Sequence, residues 1–104
     1  MNRKKNLPEL FDQIFDHWSP KVVGEVNDHL IKISKIQGEF LWHNHKREDE
    51  MFMVVKGEME VQLRDEIIPL TENEIFVVAR GVDHNLRAKE ECWLLILEKA
   101  RKKD

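Results

Sequence analysis

A polar stretch, HNHKREDE at residues 43–50, holds two histidines one residue apart and then three acidic side chains. Because alternate side chains of a strand share a face, we expect His43 and His45 to point the same way. Two imidazoles and a nearby carboxylate suit a first-row divalent metal ion. A histidine pair alone is a weak signal, so a metal site needs a further histidine from elsewhere in the chain.

The chain has five histidines, and outside the 43–50 stretch only His84 lies among apolar neighbours of a predicted strand. His17 lies in a predicted helix beside its apolar stripe, and His29 follows a turn, where we expect it to be exposed. His84 follows the glycine turn ARGVD and shares a predicted strand face with Val82, Leu86 and Ala88. A neutral imidazole among apolar neighbours needs a hydrogen-bond partner or a metal. His84 is therefore a candidate either for a buried hydrogen bond or for a metal ligand.

The first element that must support these residues is a predicted N-terminal helix. Its apolar residues recur at three- and four-residue steps: Leu7, Leu10, Phe11, Ile14, Phe15 and Trp18. Asn6 can cap the helix, with Glu9 three residues later, and Ser19-Pro20 ends it. This spacing predicts a helix whose apolar face packs on the core of the same chain.

After residue 20 the apolar period changes to two, which predicts strands. The predicted strands are 22–26, 30–36, 40–45, 51–55, 58–64, 67–70, 75–78, 82–88 and 92–97. The strand 75–78 is apolar throughout, so we expect it to be buried on both faces, and Leu41 extends the apolar side that carries the histidine pair. Many short strands at this spacing indicate an all-β sandwich or small barrel.

Length and composition limit the alternatives. The 104 residues predict one domain, 1–104, with a helical segment at 1–20, a β-barrel at 22–98 and a charged tail at 99–104. A formal net charge of −3 argues against a nucleic-acid partner. The longest apolar run, CWLLIL, is too short to span a membrane, and no apolar signal core follows the N-terminus. A cytoplasmic protein without an internal disulfide is expected, since Cys92 is the only cysteine.

Two segments resemble the motifs of the cupin family. GEFLWHNHKREDEMFMVVKG, residues 38–57, resembles the first motif, and NEIFVVARGVDHNLRA, residues 73–88, resembles the second. The spacing from Gly38 to His43 is one residue shorter than usual, and Asn73, Ala79 and Ala88 replace the family's glycine, proline and asparagine. These departures affect turns and a strand end and leave the ligand positions intact.

The resemblance implies a small jelly-roll β-barrel, the double-stranded β-helix, with a divalent metal ion inside it. The family's metal-binding positions correspond to His43, His45, Glu50 and His84, although Asp49 also fits the looser spacing of the carboxylate. The same set would hold zinc, manganese, iron, nickel or cobalt. Small cupins of this kind usually pair as homodimers, for which the helix face and the strand residues Trp42 and Trp93 offer surface.

Two classes of function stay open. One is a small metal-dependent enzyme, which the resemblance implies can be dioxygenase-, epimerase- or isomerase-like, as in mannose-6-phosphate isomerase-like cupins. The other is a non-catalytic module that binds or senses a small molecule; the ligand set argues against a third option, a metal-free scaffold. We expect Arg80 to be solvated, with a contact to an anionic substrate at the barrel mouth as the alternative, and no second acid–base pair is evident away from the metal. The predicted inward residues are Leu41, Phe52, Val54, Met59, Val61, Phe76, Val78, Leu86 and Leu95.

Overall fold

The computed structural model describes residues 4–100, which form one short helix and seven strands. The helix α1 spans Leu7–Phe11. The strands are β1 (Lys21–Val26), β2 (His29–Glu39), β3 (Glu50–Lys56), β4 (Met59–Leu63), β5 (Ile67–Leu70), β6 (Ile75–Val78) and β7 (His84–Lys99). The predicted strands at 22–26, 30–36, 51–55, 58–64 and 67–70 are confirmed within a residue or two at most ends.

The strands form an antiparallel jelly-roll barrel in which β7 belongs to both walls. The C-terminal half of β7 pairs with β2 on one side and β3 on the other, giving the order β1-β2-β7-β3-β6. The N-terminal half of β7 pairs with β4, which pairs with β5. The expected all-β jelly roll with a short N-terminal helix is therefore confirmed.

One continuous strand, β7, replaces the two strands predicted at 82–88 and 92–97. Its pairing with β2 jumps from Cys92 opposite Ile36 to Ala88 opposite Gly38, so residues 89–91 bulge out. These three polar residues, which lie between the two predicted strands, are exposed. The bulge bends β7 between the two walls without interrupting it, because extra residues on one strand increase its local bend.

The core lies between the walls and contains most of the residues predicted to face inward. Its buried members include Phe52, Val54, Met59, Val61, Val78, Leu86 and Cys92, with Phe76 packed against them. Two of the predicted inward residues are misplaced: Leu41 is 69% exposed, and Leu95 packs on the opposite face of the sheet. Burial also raises the pKa of the Cys92 thiol to about 12, as expected for an inert core cysteine.

The helix begins as predicted but ends early. The Asn6 side chain accepts a hydrogen bond of 3.0 Å from the backbone N–H of Glu9, which caps the first turn. The helix then stops at Phe11, so its predicted extension to Trp18 is wrong. Phe11 and Ile14 are buried against Ile33 on the outer face of the sheet, whereas Phe15 is 93% exposed. The apolar spacing continues beyond Phe11, but the backbone does not remain helical.

The prediction that strand 75–78 is buried on both faces is wrong. In β6, Val78 is buried, while Ile75 and Val77 are 57% and 51% exposed. β6 is an edge strand whose outer side no other element of residues 4–100 covers. Among the same residues, no helix is long and apolar enough to cross a membrane.

Candidate metal centre

The segment that carries the histidine pair is a loop held against β7 by backbone hydrogen bonds. The predicted strand 40–45 is wrong: the Phe40 N–H donates to the Leu86 carbonyl at 2.9 Å, and a strand-like bridge forms only at His43, which exchanges two backbone hydrogen bonds of 2.9 and 3.0 Å with His84. Two residues on, the His45 carbonyl accepts a hydrogen bond of 2.7 Å from the Gly81 N–H. These bonds place the loop against the start of β7, so His43 and His45 reach the same site without a full strand.

His84 occupies the first position of β7 and is completely buried. The chain reaches it through Gly81, whose φ of +77° lies in the left-handed region that glycine tolerates. Leu86 and Ala88 follow on the same face and are buried too, as the alternation predicted, but Val82 is 36% exposed. His84 is thus a buried polar side chain on an apolar face, which calls for a partner.

The two neighbouring carboxylates, Asp49 and Glu50, have different positions. Glu50 begins β3, is 8% exposed and faces the interior of the barrel. Asp49 is exposed, and its carboxylate accepts a hydrogen bond of 2.9 Å from the backbone N–H of Arg80. The carboxylate next to the histidines therefore belongs to Glu50, while Asp49 ties the two motif loops together.

The structure brings together all four side chains that the resemblance implied. One possible ligand atom from each of His43, His45, Glu50 and His84 lies within 4.8 Å of the others. The carboxylate oxygen Oε1 of Glu50 is 3.3 Å from His45 Nε2 and 3.8 Å from His84 Nε2. The ring centroids of His43 and His84 are 4.3 Å apart. Four donors at these separations surround a space of the size that one cation needs.

Backbone carbonyls fix the orientation of two of the imidazoles. His43 Nδ1 is 2.7 Å from the Leu41 carbonyl oxygen, and His84 Nδ1 is 3.0 Å from that of Val82. Because a carbonyl only accepts, each Nδ1 carries the hydrogen and each Nε2 keeps its lone pair. This arrangement is the one that orients metal-ligating histidines in proteins.

Two polar atoms of the cluster have no hydrogen-bond partner within residues 4–100. They are His84 Nε2 and Glu50 Oε1, and both are inaccessible to solvent. A buried polar atom left unpaired costs on the order of 1–3 kcal/mol, so such atoms are rare in native proteins. A divalent cation would satisfy both at once, and the residues present therefore fit a metal ion.

The pKa values of His43 and His84 shift in opposite directions. Burial lowers the pKa of His43, and the neighbouring His84 and His45 add to that effect while the Leu41 carbonyl opposes it. Burial would also lower the pKa of His84, but the Glu50 carboxylate and the Val82 carbonyl outweigh it and raise the pKa. His84 therefore binds a proton more readily than His43 does.

The cluster opens into a pocket of about 750 Å³. Its wall is the inner face of the sheet, including Ile36, Phe52, Leu86, Leu94 and Ile96, and aromatic residues Trp18, Phe40 and Trp42 stand at its rim. A cavity of this volume is within the range of small-molecule sites in proteins. Arg80 is exposed and lies outside the lining of this pocket.

The pocket also contains a polar pair that the sequence analysis missed. Lys32 Nζ is 3.0 Å from Glu98 Oε1, with the two side chains 25% and 17% exposed, and both line the pocket. The available signal was the alternation of β2, which places Lys32 on the same face as Ser34 and Ile36. No second acid–base pair away from the metal was found in the sequence, and this ion pair beside the site was not identified.

The remaining histidines and tryptophans lie away from the cluster. His17 pairs with Glu91 at 2.9 Å at the surface, and His29, exposed as predicted, pairs with Asp28 at 3.0 Å. Trp93 stacks on Phe11 with ring centroids 4.7 Å apart, so its ring packs within the chain. Trp42 is 41% exposed at the pocket rim, with the guanidinium of Arg64 4.0 Å from its ring centroid.

The fold and the cluster define a β-barrel protein with a candidate metal site, and comparison with known proteins gives its family. The cupin domain family matches residues 30–97, and the chain belongs to that family. The predicted membership of the cupins is confirmed, while the finer mannose-6-phosphate isomerase-like assignment stays a prediction.

Three similar proteins come from bacteria. A cupin-2 domain protein from Shewanella frigidimarina is 41% identical with a TM-score of 0.90, covering 91% of this chain and 93% of its own. Protein NMB1881 from Neisseria meningitidis is 26% identical with a TM-score of 0.86, covering 94% of this chain and all of its own. The uncharacterised YdbB of Bacillus subtilis is 29% identical over 85% of this chain and 79% of its own length. These likenesses extend over nearly the whole barrel.

Proposed function

We propose that this chain is a metal-binding cupin whose His43, His45, Glu50 and His84 hold one divalent cation at the base of the pocket. The observation that carries the proposal is the convergence of the four side chains, with ligand atoms within 4.8 Å of one another. The buried, unpaired His84 Nε2 and Glu50 Oε1 support it, because a cation is the simplest partner for both.

The donor set limits the choice of metal. Three imidazoles and one carboxylate suit zinc, manganese, iron or nickel, and the buried Cys92 belongs to the core, away from this site. Four protein ligands leave positions available on metals that prefer five or six, which is typical of working sites. When bound, such an ion supplies Lewis-acid polarisation of a substrate oxygen or activation of water.

The function we favour is that of a small metal-dependent enzyme acting on a molecule that enters the pocket. A purely structural metal would be sealed in, whereas this cluster lines an open pocket of about 750 Å³. The Lys32–Glu98 pair adds groups that can hold or transfer protons beside the cluster. Dioxygenase-, isomerase- and epimerase-like reactions are all compatible with these parts.

A non-catalytic binding or sensing module is the second candidate. The largely apolar wall of the pocket favours it, because such a wall can retain a small molecule without converting it. The two candidates differ in one measurable result: the enzyme consumes the molecule that it binds, and the sensor releases it unchanged.

Elemental analysis of untagged protein tests the metal site. We expect about one metal ion per chain in the wild type and less than about a tenth of that in His43→Ala and His84→Ala, because each loses a ligand. The matched controls are His17→Ala and His29→Ala, which remove surface histidines paired with Glu91 and Asp28. Equal metal content in all five proteins would refute the proposal.

A further inference from the structure

The Lys32–Glu98 pair lies beside the candidate metal centre. Glu98 is the direct cross-strand partner of Glu50, and both side chains face the pocket. Directly opposed side chains on neighbouring strands have Cβ atoms about 4.5–5.5 Å apart. Lys32, two strands away from Glu50, reaches diagonally to Glu98 across β2 and β7. Anything that fills the pocket down to Glu50 therefore passes this pair.

The pair offers a hydrogen-bond donor and an acceptor side by side. The ammonium of Lys32 has three N–H groups, of which Glu98 Oε1 takes one, and the carboxylate of Glu98 keeps further lone pairs. The two charges cancel, so the pair carries no net charge. An anionic group on Lys32 would meet the adjacent carboxylate of Glu98, whereas a hydroxyl can accept from Lys32 and donate to Glu98 at the same time.

The residues around the pair are apolar and aromatic, so they suit the carbon skeleton of a ligand better than a second charged group. Ile96 is the cross-strand partner of Lys32, and Phe52 is the next residue in the same row. The ring of Trp18 stacks on that of Phe40 at the rim, with centroids 5.1 Å apart. Apolar and aromatic surface of this kind packs against the C–H faces of a ligand while a few polar groups orient it.

We propose that Lys32 and Glu98 form a hydroxyl-binding subsite and that the pocket takes a small neutral polyhydroxylated molecule. One hydroxyl of that molecule lies beside the ion pair, accepting from Lys32 and donating to Glu98, and the other end of the molecule points to the cluster of His43, His45, Glu50 and His84. This inference rests on the proposed function, since it treats the pocket as the route to the metal centre. Glu98 and Lys32 select the ligand, and the cluster holds the ion.

Tryptophan fluorescence can measure binding, because Trp18 and Trp42 line the pocket while Trp93 packs on Phe11 at the opposite face of the sheet. The probes are glycerol, erythritol, D-xylose, D-glucose, D-mannose and D-galactose, with D-glucuronate and D-galacturonate as the matched anions. We expect a saturable fluorescence change with at least one neutral probe and weaker binding of its anionic counterpart.

The variants separate a binding role from a structural one. Lys32→Met and Glu98→Gln should weaken that binding by about tenfold or more, as for hydrogen bonds to charged groups, while the metal content stays that of the wild type. The controls Lys89→Met and Glu90→Gln change exposed residues at the bend of β7 and should bind like the wild type. Unchanged metal content in Lys32→Met and Glu98→Gln would show that the barrel of each variant is intact.

Three results would overturn the inference: tighter binding of the uronates, unchanged binding in Lys32→Met and Glu98→Gln, or no saturable change with any probe. Each would leave the metal centre standing if the metal content remains about one per chain. A metal-free wild type that still binds neutral probes, with weaker binding in Lys32→Met, would instead refute the proposed function and support the hydroxyl-binding subsite. Titrating both the metal-loaded and the chelator-treated protein distinguishes the two failures.

Discussion

At the scale of single residues, Asp49 and Glu50 show how one step along the chain changes what a carboxylate does. Successive side chains of an extended segment point to opposite sides. Glu50 therefore faces the buried cluster, while Asp49 faces the loop and accepts the Arg80 N–H at 2.9 Å. The sequence motif left the choice between them open, and the register of β3 settles which carboxylate is next to the histidines.

Replacing the two carboxylates by amides should have opposite effects on metal content. Glu50→Gln removes the anionic ligand, so we expect at least about tenfold less metal per chain, since even outer partners of metal sites contribute that much. Asp49→Asn keeps an oxygen for the Arg80 N–H and should retain the metal. Elemental analysis of both variants is the measurement, and greater metal loss in Asp49→Asn than in Glu50→Gln would contradict the assignment.

The three histidines were predictable from the sequence, whereas the position of Lys32 was not. His43, His45 and His84 stood out because the spacing of a motif fixes them. Lys32 did not, because a lysine in an alternating strand normally faces solvent, and only the closure of the barrel turns that face of β2 inward. Such a role depends on tertiary packing that local spacing does not encode.

At the scale of elements, two phenylalanines of the one predicted apolar stripe have different environments in the N-terminal segment. Phe11 is fully buried and stacks on Trp93, whereas Phe15 is 93% exposed, because the helix ends at Phe11. Phe11→Ala should lower the free energy of unfolding by about 3–5 kcal/mol, and Phe15→Ala by about 0.5 kcal/mol or less. Denaturant titration measures both, and equal losses would contradict the packing described.

Two glycines with nearly the same backbone angle provide a second matched pair. A Cβ on Gly57, at φ +89°, would lie 3.0 Å from the Glu91 carbonyl oxygen, which is backbone that cannot swing away. A Cβ on Gly38, at φ +83°, would meet no atom within 4 Å. Gly38→Ala should cost about 1–2 kcal/mol of stability from the left-handed backbone alone.

Gly57→Ala should cost about 1–3 kcal/mol more than Gly38→Ala, because the same backbone penalty is joined by overpacking against β7. Thermal unfolding of the two variants side by side is the measurement. A Gly57→Ala protein as stable as Gly38→Ala would show that the turn at Gly57 can move away from Glu91.

Period-two patterns predicted the half-buried strands well and failed where a strand is interrupted or lies at an edge. The alternation of β4 placed Met59 and Val61 correctly inside. The bulge at residues 89–91 hid the continuity of β7, and the apolar run of β6 looked like a central strand although it forms an edge. Neighbouring strands, which the local sequence does not specify, decide these cases.

At the scale of the whole molecule, an apolar area remains open on the outer face of the sheet. Leu97, Met51 and Val77 form one row across β7, β3 and β6, and Leu95, Met53 and Ile75 form the next. The helix segment covers the sheet near Ile33 and Leu95 but leaves Ile75 and Val77 more than half exposed. The expected homodimer stays a prediction. We expect it to form through this area and not through the helix face, because Phe11 of that face is already buried within its own chain.

Val77→Lys should therefore convert a dimer to a monomer, because a charge would be buried at the contact. Ile67→Lys is the matched control, as Ile67 is 52% exposed on β5, away from this face. Sedimentation at micromolar concentration is the measurement. A monomeric wild type would rule out the dimer, and a dimer that persists in Val77→Lys would place its interface elsewhere.

The overall fold was largely predictable, because two motifs and regular short strands are both typical of a jelly-roll barrel. The role of β7 in joining the two walls was not, since it depends on pairings between residues far apart in the chain. The same strand carries His84 at its first position, opposite His43, and pairs with β3 at Glu50, so β7 also helps to assemble the candidate metal centre.

Anomalous X-ray diffraction from crystals of the metal-loaded protein would show directly whether the four side chains bind one metal ion. We predict one anomalous peak per chain among the imidazoles of His43, His45 and His84 and the carboxylate of Glu50, at distances of about 2.0–2.2 Å. A metal-loaded crystal whose only peak lies elsewhere, for instance at the surface pair of His17 and Glu91, would contradict the account.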